Sequence, residues 1–156
     1  MKKKSKAHKK VVTILFYLYI ISLTYFLFFS EYLNRGDIAQ DYRMNTELFR
    51  EIKRYLLYWR VLGIRSFMIN IPGNIIAFMP FGFLVPYINE KYRRFWTMAI
   101  LSFFFSQTIE VVQLITKVGC FDVDDIFLNT IGGIIGYICY KIFAGTKNKK
   151  RKKKSK

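Results

Sequence analysis

Histidine is nearly absent from this 156-residue chain: the only one, His8, sits in a lysine-rich stretch before the first apolar run. That placement withholds the usual histidine-based acid–base and transition-metal schemes from any site on the opposite side of a membrane. Cysteine is scarce as well. Cys120 precedes the fourth apolar run and Cys139 lies well inside it, a difference in depth too large for a bridge, so two thiols are expected. Acids number ten against 26 Lys and Arg, and neither a phosphate-binding glycine motif nor an internal repeat is present. The three prolines, Pro72, Pro80 and Pro86, all fall within one apolar stretch, Asn70 to Pro86. A segment that only had to cross lipid would avoid them, because each removes a backbone donor and leaves an acceptor unmatched one turn earlier.

What the chain does have is hydrophobic length. Of its residues 53% are hydrophobic and 19% aromatic, and the apolar ones gather in four runs, Val11 to Phe29, Asn70 to Ile88, Phe95 to Thr116 and Ile126 to Phe143. Each has roughly the 17 to 25 residues that a membrane-crossing helix needs, and each is bounded by charge. The charges are sorted by side. The two tails, the turn Asn89 to Arg94 and Lys141 carry all but eight of the 26 basic residues and one of the ten acids, a balance of +17, while the rest balances at −1. This asymmetry places both termini and the middle turn in the cytoplasm. It also gives the net charge of +16 a role in orientation and in attraction to anionic lipid headgroups, with no need of nucleic acid.

These features predict an all-α, multi-pass protein of the cell membrane with four transmembrane helices. Residues 1–10 form a cytoplasmic basic tail and 11–29 the first helix, which is too long for a signal peptide and lacks a small-residue cleavage site after it. Residues 30–69 form an extracytoplasmic segment. Within it Met44, Leu48, Ile52, Tyr55, Leu56, Trp59 and Leu62 recur at helical spacing, with Glu47, Arg50, Glu51, Lys53, Arg54 and Arg60 opposite, the pattern of an amphipathic helix on the outer interface or docked on the bundle. Residues 70–143 hold helices two to four, and 144–156 form a second basic tail. The second helix should be kinked, with Pro80 freeing the carbonyl of Ile76, Gly82 admitting a neighbouring backbone, and Asn70 and Asn74 one turn apart near one end.

Polar residues interrupt the apolar runs where topology would bring them together. Gln107, Glu110 and Gln113 follow one face of the third helix, and an ionisable group there costs on the order of 2.5 to 3.5 kcal/mol, so Glu110 should face the bundle interior. Asp122, Asp124 and Asp125 lead into the fourth helix, with Asn129 on its second turn. Asp122 with Asp125 has the form of a helix N-cap, though three carboxylates exceed what a cap needs. Gly132, Gly133 and Gly136 have the spacing of a helix contact. At about 1.5 Å per residue Asn74, Glu110 and Asn129 lie about 6, 9 and 6 Å below the outer helix ends, in one layer beneath the acidic turn. A polar, net acidic pocket open to the outside is expected, built on Asn70, Asn74, Glu110, Gln113, Asp122, Asp124, Asp125 and Asn129.

Three ordered blocks carry a resemblance. Asn70-x-x-Gly-Asn-x-x-x-Phe-x-Pro-x-Gly-Phe83, then Glu110-x-x-Gln113, then Phe121-Asp-x-Asp-Asp-x-x-x-Asn-Thr-x-Gly132 with Gly136-Tyr137 behind, resemble the VanZ-like membrane protein family, over roughly Tyr42 to Tyr140. Gly119 and Cys120 stand where many members have an arginine ahead of the acidic triplet. The resemblance implies an integral membrane protein of the Gram-positive cell envelope, of a family whose namesake is tied to low-level resistance to the lipid-tailed antibiotic teicoplanin.

Two functions fit these residues. In the first, the outer pocket binds a lipid-tailed or lipid-linked ligand by its headgroup, with no covalent chemistry, no cofactor and the acyl part in the membrane lipid. In the second, a small metal-dependent enzyme acts on a lipid phosphate or lipid-linked cell-wall precursor, its carboxylates and amide oxygens forming a hard-oxygen set for Mg²⁺ or Ca²⁺. A structural scaffold is the third reading, if the polar layer is only internal pairing.

Overall fold

A computed structural model describes residues 2–34, 44–118 and 120–154. In chain order these form α1 (Lys2–Asn34), a two-residue strand β1 (Met44–Asn45), α2 (Arg50–Leu62), α3 (Ile64–Met68), a π-helical turn (Ile69–Gly73), α4 (Asn74–Ile88), a 3₁₀ turn (Glu90–Tyr92), α5 (Phe95–Thr116), β2 (Phe121–Asp122) and α6 (Val123–Lys154). Among the described residues four helical spans are long and apolar enough to cross a membrane, Lys9–Phe28, Ile64–Ile88, Phe95–Thr116 and Val123–Thr146. The chain is therefore the all-α, multi-pass protein that its hydrophobic runs predict. Cys120 and Cys139 form no bridge with each other.

The second span begins at Ile64, six residues before the expected start, so Asn70 and Asn74 lie within it instead of at its end. The reason is local. Pro72 has no N–H for the carbonyl one turn back, and the helix passes it by widening into the π turn Ile69–Gly73. There the Asn70 amide donates to the Ser66 carbonyl at 2.8 Å, closing a backbone acceptor with a side chain. Pro80 and Pro86 are carried inside α4, and nearby carbonyls find side-chain donors. The Tyr19 hydroxyl of α1 donates to the Ala77 carbonyl at 2.8 Å, and the Arg93 Nε donates to the Pro86 carbonyl at 3.2 Å.

The bundle is centred on α4 and α6, whose backbones touch. A Cβ built on Gly82 would stand 1.8 Å from the Gly133 carbonyl oxygen, one on Gly132 2.2 Å from that of Ile75, and one on Gly136 2.0 Å from that of Met79. No side chain fits in those gaps, so Gly82, Gly132 and Gly136 set the distance between the two helices. On the other side of α6, α5 meets it through small polar residues: a Cβ on Gly133 would lie 2.2 Å from the Ser102 Oγ, and the Asn129 amide donates to the Ser106 Oγ at 2.9 Å. Aromatic rings fill the remaining space between α4 and α5. Phe81 stacks on Phe105 with centroids 4.4 Å apart, and Phe78 lies 5.7 Å from the same ring and is wholly buried. Helix α1 is the least integrated span, attached mainly through Tyr19, the Phe16 to Phe81 ring contact at 6.3 Å and a buried Leu23.

The seam gives a direct test. Gly136→Ala drives a methyl group into the Met79 carbonyl and should lower stability by about 1 to 3 kcal/mol, as overpacking of a close contact does. The same change at Gly145, where an added Cβ would meet nothing within 4 Å, should not lower the thermal midpoint of the detergent-purified protein, since alanine is the better helix former.

Candidate functional site

The two polar connections of the bundle come together at one end of it, opposite the termini. There β1 and β2 pair in parallel, Met44 against Phe121 and Asn45 against Asp122. This short bridge places the start of α2 over the start of α6. Helix α2 has no cap of its own: Phe49, at its N-cap position, has φ of 68° in the left-handed region and offers no side-chain acceptor. The acceptor comes instead from α6. The Asp124 carboxylate, 1% exposed, accepts from the backbone N–H groups of Phe49, of Glu51 at 2.8 Å and of Ile52 at 3.0 Å. A carboxylate at a helix N-terminus satisfies orphan donors and meets the positive end of the helix dipole. Here the cap is long-range, so it also fastens α2 to the bundle.

The other acids and amides divide the remaining work. Asp122 caps α6, its Oδ1 accepting from the Asp124 N–H at 2.8 Å and from the Asn45 amide at 2.8 Å. The Glu110 Oε2 of α5, 2% exposed, accepts from the Asp122 N–H at 3.0 Å and so anchors the connection into α6. Asp125 accepts from the Asn74 amide of α4 at 2.6 Å. Gln113 reaches across to α1, donating to the Leu27 carbonyl at 3.5 Å. Asn129 is paired with Ser106 one turn deeper.

Beneath α2 lies a cleft of about 510 Å³. Its α2 side presents Arg50, Glu51, Arg54 and Tyr55, and its bundle side presents Asn45, Asn70, Asp122 and Asp125. The Arg54 guanidinium is held by Glu51 at 2.6 Å and lies over the Tyr55 ring, 5.1 Å from its centroid. The cleft is thus lined by charges of both signs. Of the eight residues singled out from sequence, Asn70, Asp122 and Asp125 line it. Asn74 touches it only through Asp125, Glu110 through Asp122, and Asp124 is turned away to cap α2; Gln113 and Asn129 lie apart. Met44, Asn45, Arg50, Glu51, Arg54, Tyr55 and Cys120 are the cleft residues that sequence reasoning missed. Arg50, Glu51 and Arg54 were visible as one charged helical face, but nothing in their spacing distinguishes a face turned to water from one folded over acids.

Burial raises the Asp122 carboxyl to about 6 from an ordinary 3.8; hydrogen bonds from the Asp124 N–H and the Asn45 amide oppose the rise, and the neighbouring Asp124 and Glu51 charges add to it. Among the described residues no group of three or more His, Cys, Asp and Glu is disposed to hold a metal ion. The oxygens that looked like a hard-ligand set are largely committed to backbone and amide donors.

Two expectations follow. Asp124→Ala leaves three backbone donors without their acceptor and should cost about 2 kcal/mol or more. Hydrogen exchange should accelerate selectively at the amides of Phe49, Glu51 and Ile52, while those of the α4–α6 seam stay protected. For Asp122, a folded pKa above the unfolded value means the native state binds the proton more tightly. Its stabilising contribution is full below 3.8 and is lost as pH rises through about 6. Thermal midpoints of the wild type should therefore fall across that window relative to Asp122→Asn, which keeps an oxygen for the cap and does not titrate.

Comparison with known proteins places this arrangement in a family. The profile of the family described as VanZ/LLP1 matches residues 16–144, which include all four spans in whole or in large part and every residue of the cleft. Protein VanZ of Enterococcus faecium is 35% identical over 78 residues, a stretch covering 50% of this chain and 48% of that protein. The chain thus spans about half the length of the curated relative it matches. No solved structure matches it. With the match running through the helical bundle and the polar end that the bundle supports, the chain belongs to the VanZ/LLP1 family.

Proposed function

We propose that this protein holds the polar headgroup of a lipid-tailed or lipid-linked ligand in the cleft beneath α2, and in doing so contributes to protection against teicoplanin-type glycopeptides. The charge asymmetry of the sequence orients the cleft to the outer face of the membrane, with both termini in the cytoplasm. The observation that carries the reading is the cleft itself: about 510 Å³, bounded by Arg50 and Arg54 on one wall and by Asp122 and Asp125 on the other. Opposite charges on facing walls suit a headgroup bearing both signs, or one rich in hydroxyls, and the residues behind them are rigidly supported. Asp125 is positioned by Asn74, Asp122 by Glu110 and Asn45, and the α2 wall by Asp124.

The position of the cleft suits an amphiphile. Helix α2 has no buried residue, and Leu56, Leu57 and Val61 stand exposed on it, so it lies where apolar side chains meet headgroups. A ligand whose head enters the cleft keeps its tail at the level of the hydrocarbon. Binding alone protects in this scheme, either by occupying lipid-linked wall precursor or by keeping a lipid-anchored drug from its target. The metal-dependent alternative draws no support from a specific contact, since Asp124 and Glu110 are committed to backbone N–H groups.

Drug susceptibility in a Gram-positive host tests the proposal. Empty vector, wild type and an Arg50→Gln, Asp125→Asn double variant, matched for membrane level, would be challenged with teicoplanin and with an untailed glycopeptide. Wild type is expected to protect selectively against the tailed drug, and the double variant to lose that protection. Equal protection by both, or protection that ignores the tail, would overturn it.

A further inference from the structure

The polar atoms of the cleft beneath α2 divide into those already used by the fold and those left over. On the α2 wall Arg54 is paired with Glu51 at 2.6 Å and donates to the Tyr55 hydroxyl oxygen at 3.4 Å. Since that oxygen accepts there, its own O–H is left to donate. Arg50 stands differently. Among the described residues its side chain has neither an ion pair nor a hydrogen bond, and it is exposed at the cleft. A guanidinium carries five N–H donors in a fixed fork, so this wall ends in unspent donors around one unbalanced positive charge.

The bundle wall is its complement. Both side-chain hydrogen bonds of Asp122, from the Asn45 amide and the Asp124 N–H, fall on Oδ1. Its Oδ2 has no partner among the described residues. Asn70 is half spent in the same way: its Nδ2 donates to the Ser66 carbonyl at 2.8 Å, which fixes the orientation of the amide and leaves Oδ1 an unused acceptor. Asp125, whose Oδ1 receives the Asn74 amide, adds a second negative charge to this wall. The charged side chains lining the cleft are therefore two positive, Arg50 and Arg54, against three negative, Glu51, Asp122 and Asp125.

These unspent groups choose among heads. A phosphate alone meets Arg50 but adds to a lining already in negative excess, and it brings no donor for the oxygens of Asp122 and Asn70. Sugar hydroxyls serve either wall but gain least from the charges, because neutral hydrogen bonds are about half as strong as charge-assisted ones. A quaternary ammonium has the right charge for Asp122 and no N–H to give.

We propose that the cleft takes a zwitterionic head, its oxyanion on Arg50 and the Tyr55 hydroxyl and its primary ammonium between Asp122 Oδ2 and Asn70 Oδ1. This deepens the function proposed above by assigning the chemical class of the head, and it rests on that reading for the cleft being the binding site. Two kinds of lipid-tailed molecule carry the pair: a phosphodiester lipid with an amine arm, and an amino acid with free ammonium and carboxylate on an acyl tail. A cleft of about 510 Å³ is in the range of sites that enclose a whole small molecule, so either head enters entire.

The full-length protein in detergent would be titrated with phosphatidylethanolamine, phosphatidylcholine, phosphatidylglycerol and a lysine acylated on its side-chain amine. Native mass spectrometry would count bound lipid, after equilibration well above the pH of about 6 at which Asp122 ionises. Phosphatidylethanolamine, the acylated lysine or both are expected to bind about tenfold more tightly than the other two lipids, the worth of one charge-assisted hydrogen bond. Which of them does so identifies the source of the head. Asp122→Asn keeps an oxygen for the cap but turns an amide donor to the cleft in place of Oδ2, and should erase the preference over phosphatidylcholine. Arg50→Gln should weaken phosphatidylethanolamine and phosphatidylglycerol by a similar factor. Thermal midpoints check that both variants keep the fold, and the comparison of heads in the wild type needs no variant. Equal affinity of the wild type for all four, or a preference unchanged in both variants, would overturn the head class. Should drug protection and its loss in the Arg50→Gln, Asp125→Asn variant survive that result, the site stands and only its head is refuted. A clear preference without drug protection refutes the protective role and leaves the head class intact.

Discussion

A hydrocarbon slab supplies no hydrogen-bond partners, and every polar group placed in or beside it must find one within the protein. Nearly all the architecture described above answers that constraint. The glycine seam brings α4 and α6 into backbone contact, which puts Asn74 within 2.6 Å of Asp125. The small residues of α5 bring that helix close enough for Ser106 to receive Asn129 and for Glu110 to take the N–H of Asp122. Remove the close approach of the helices and these amides and carboxylates are left facing lipid tails.

The same constraint explains why the acids do such different jobs. Three aspartates within four residues could have formed one cluster, but the start of a helix points successive side chains in different directions. Asp122 turns back over the first turn of α6, Asp124 turns toward α2, and Asp125 turns into the bundle toward α4. Three elements are thereby tied together by one short run. Charge repulsion among the three is eased because each carboxylate faces donors of its own, and Asp122, half-buried and beside the Asp124 charge, holds its proton up to about pH 6.

Much of this was legible in the residues. Four apolar runs announced four spans, and the seam glycines Gly132, Gly133 and Gly136 were recognisable from spacing, because close packing of helices in lipid requires small residues at fixed intervals. The N-cap role of Asp122 was readable as well, since it depends only on neighbours in the chain. Less legible were the start of the second span, which the π turn at Pro72 displaced to Ile64, and the partner of Asp124, which lies 73 residues away at Glu51. Capping by a residue so distant leaves no local signature.

The sequence by itself determined the class of the molecule, because membrane insertion reads hydrophobic length and flanking charge, both of which are properties of short contiguous segments. It determined too that Glu110, Gln113 and Asn129 would be buried polar groups, since an amide or carboxylate within an apolar run must face protein instead of lipid. Only the tertiary structure decided which of them surround open space and which are used up in holding the fold. Arg50 and Arg54 enter the cleft because α2 folds back over α6, and Asp124 leaves it for the same reason. That fold-back depends on a hydrogen-bonded contact between two distant helix starts, and no periodicity within either segment encodes which helix start the other will meet.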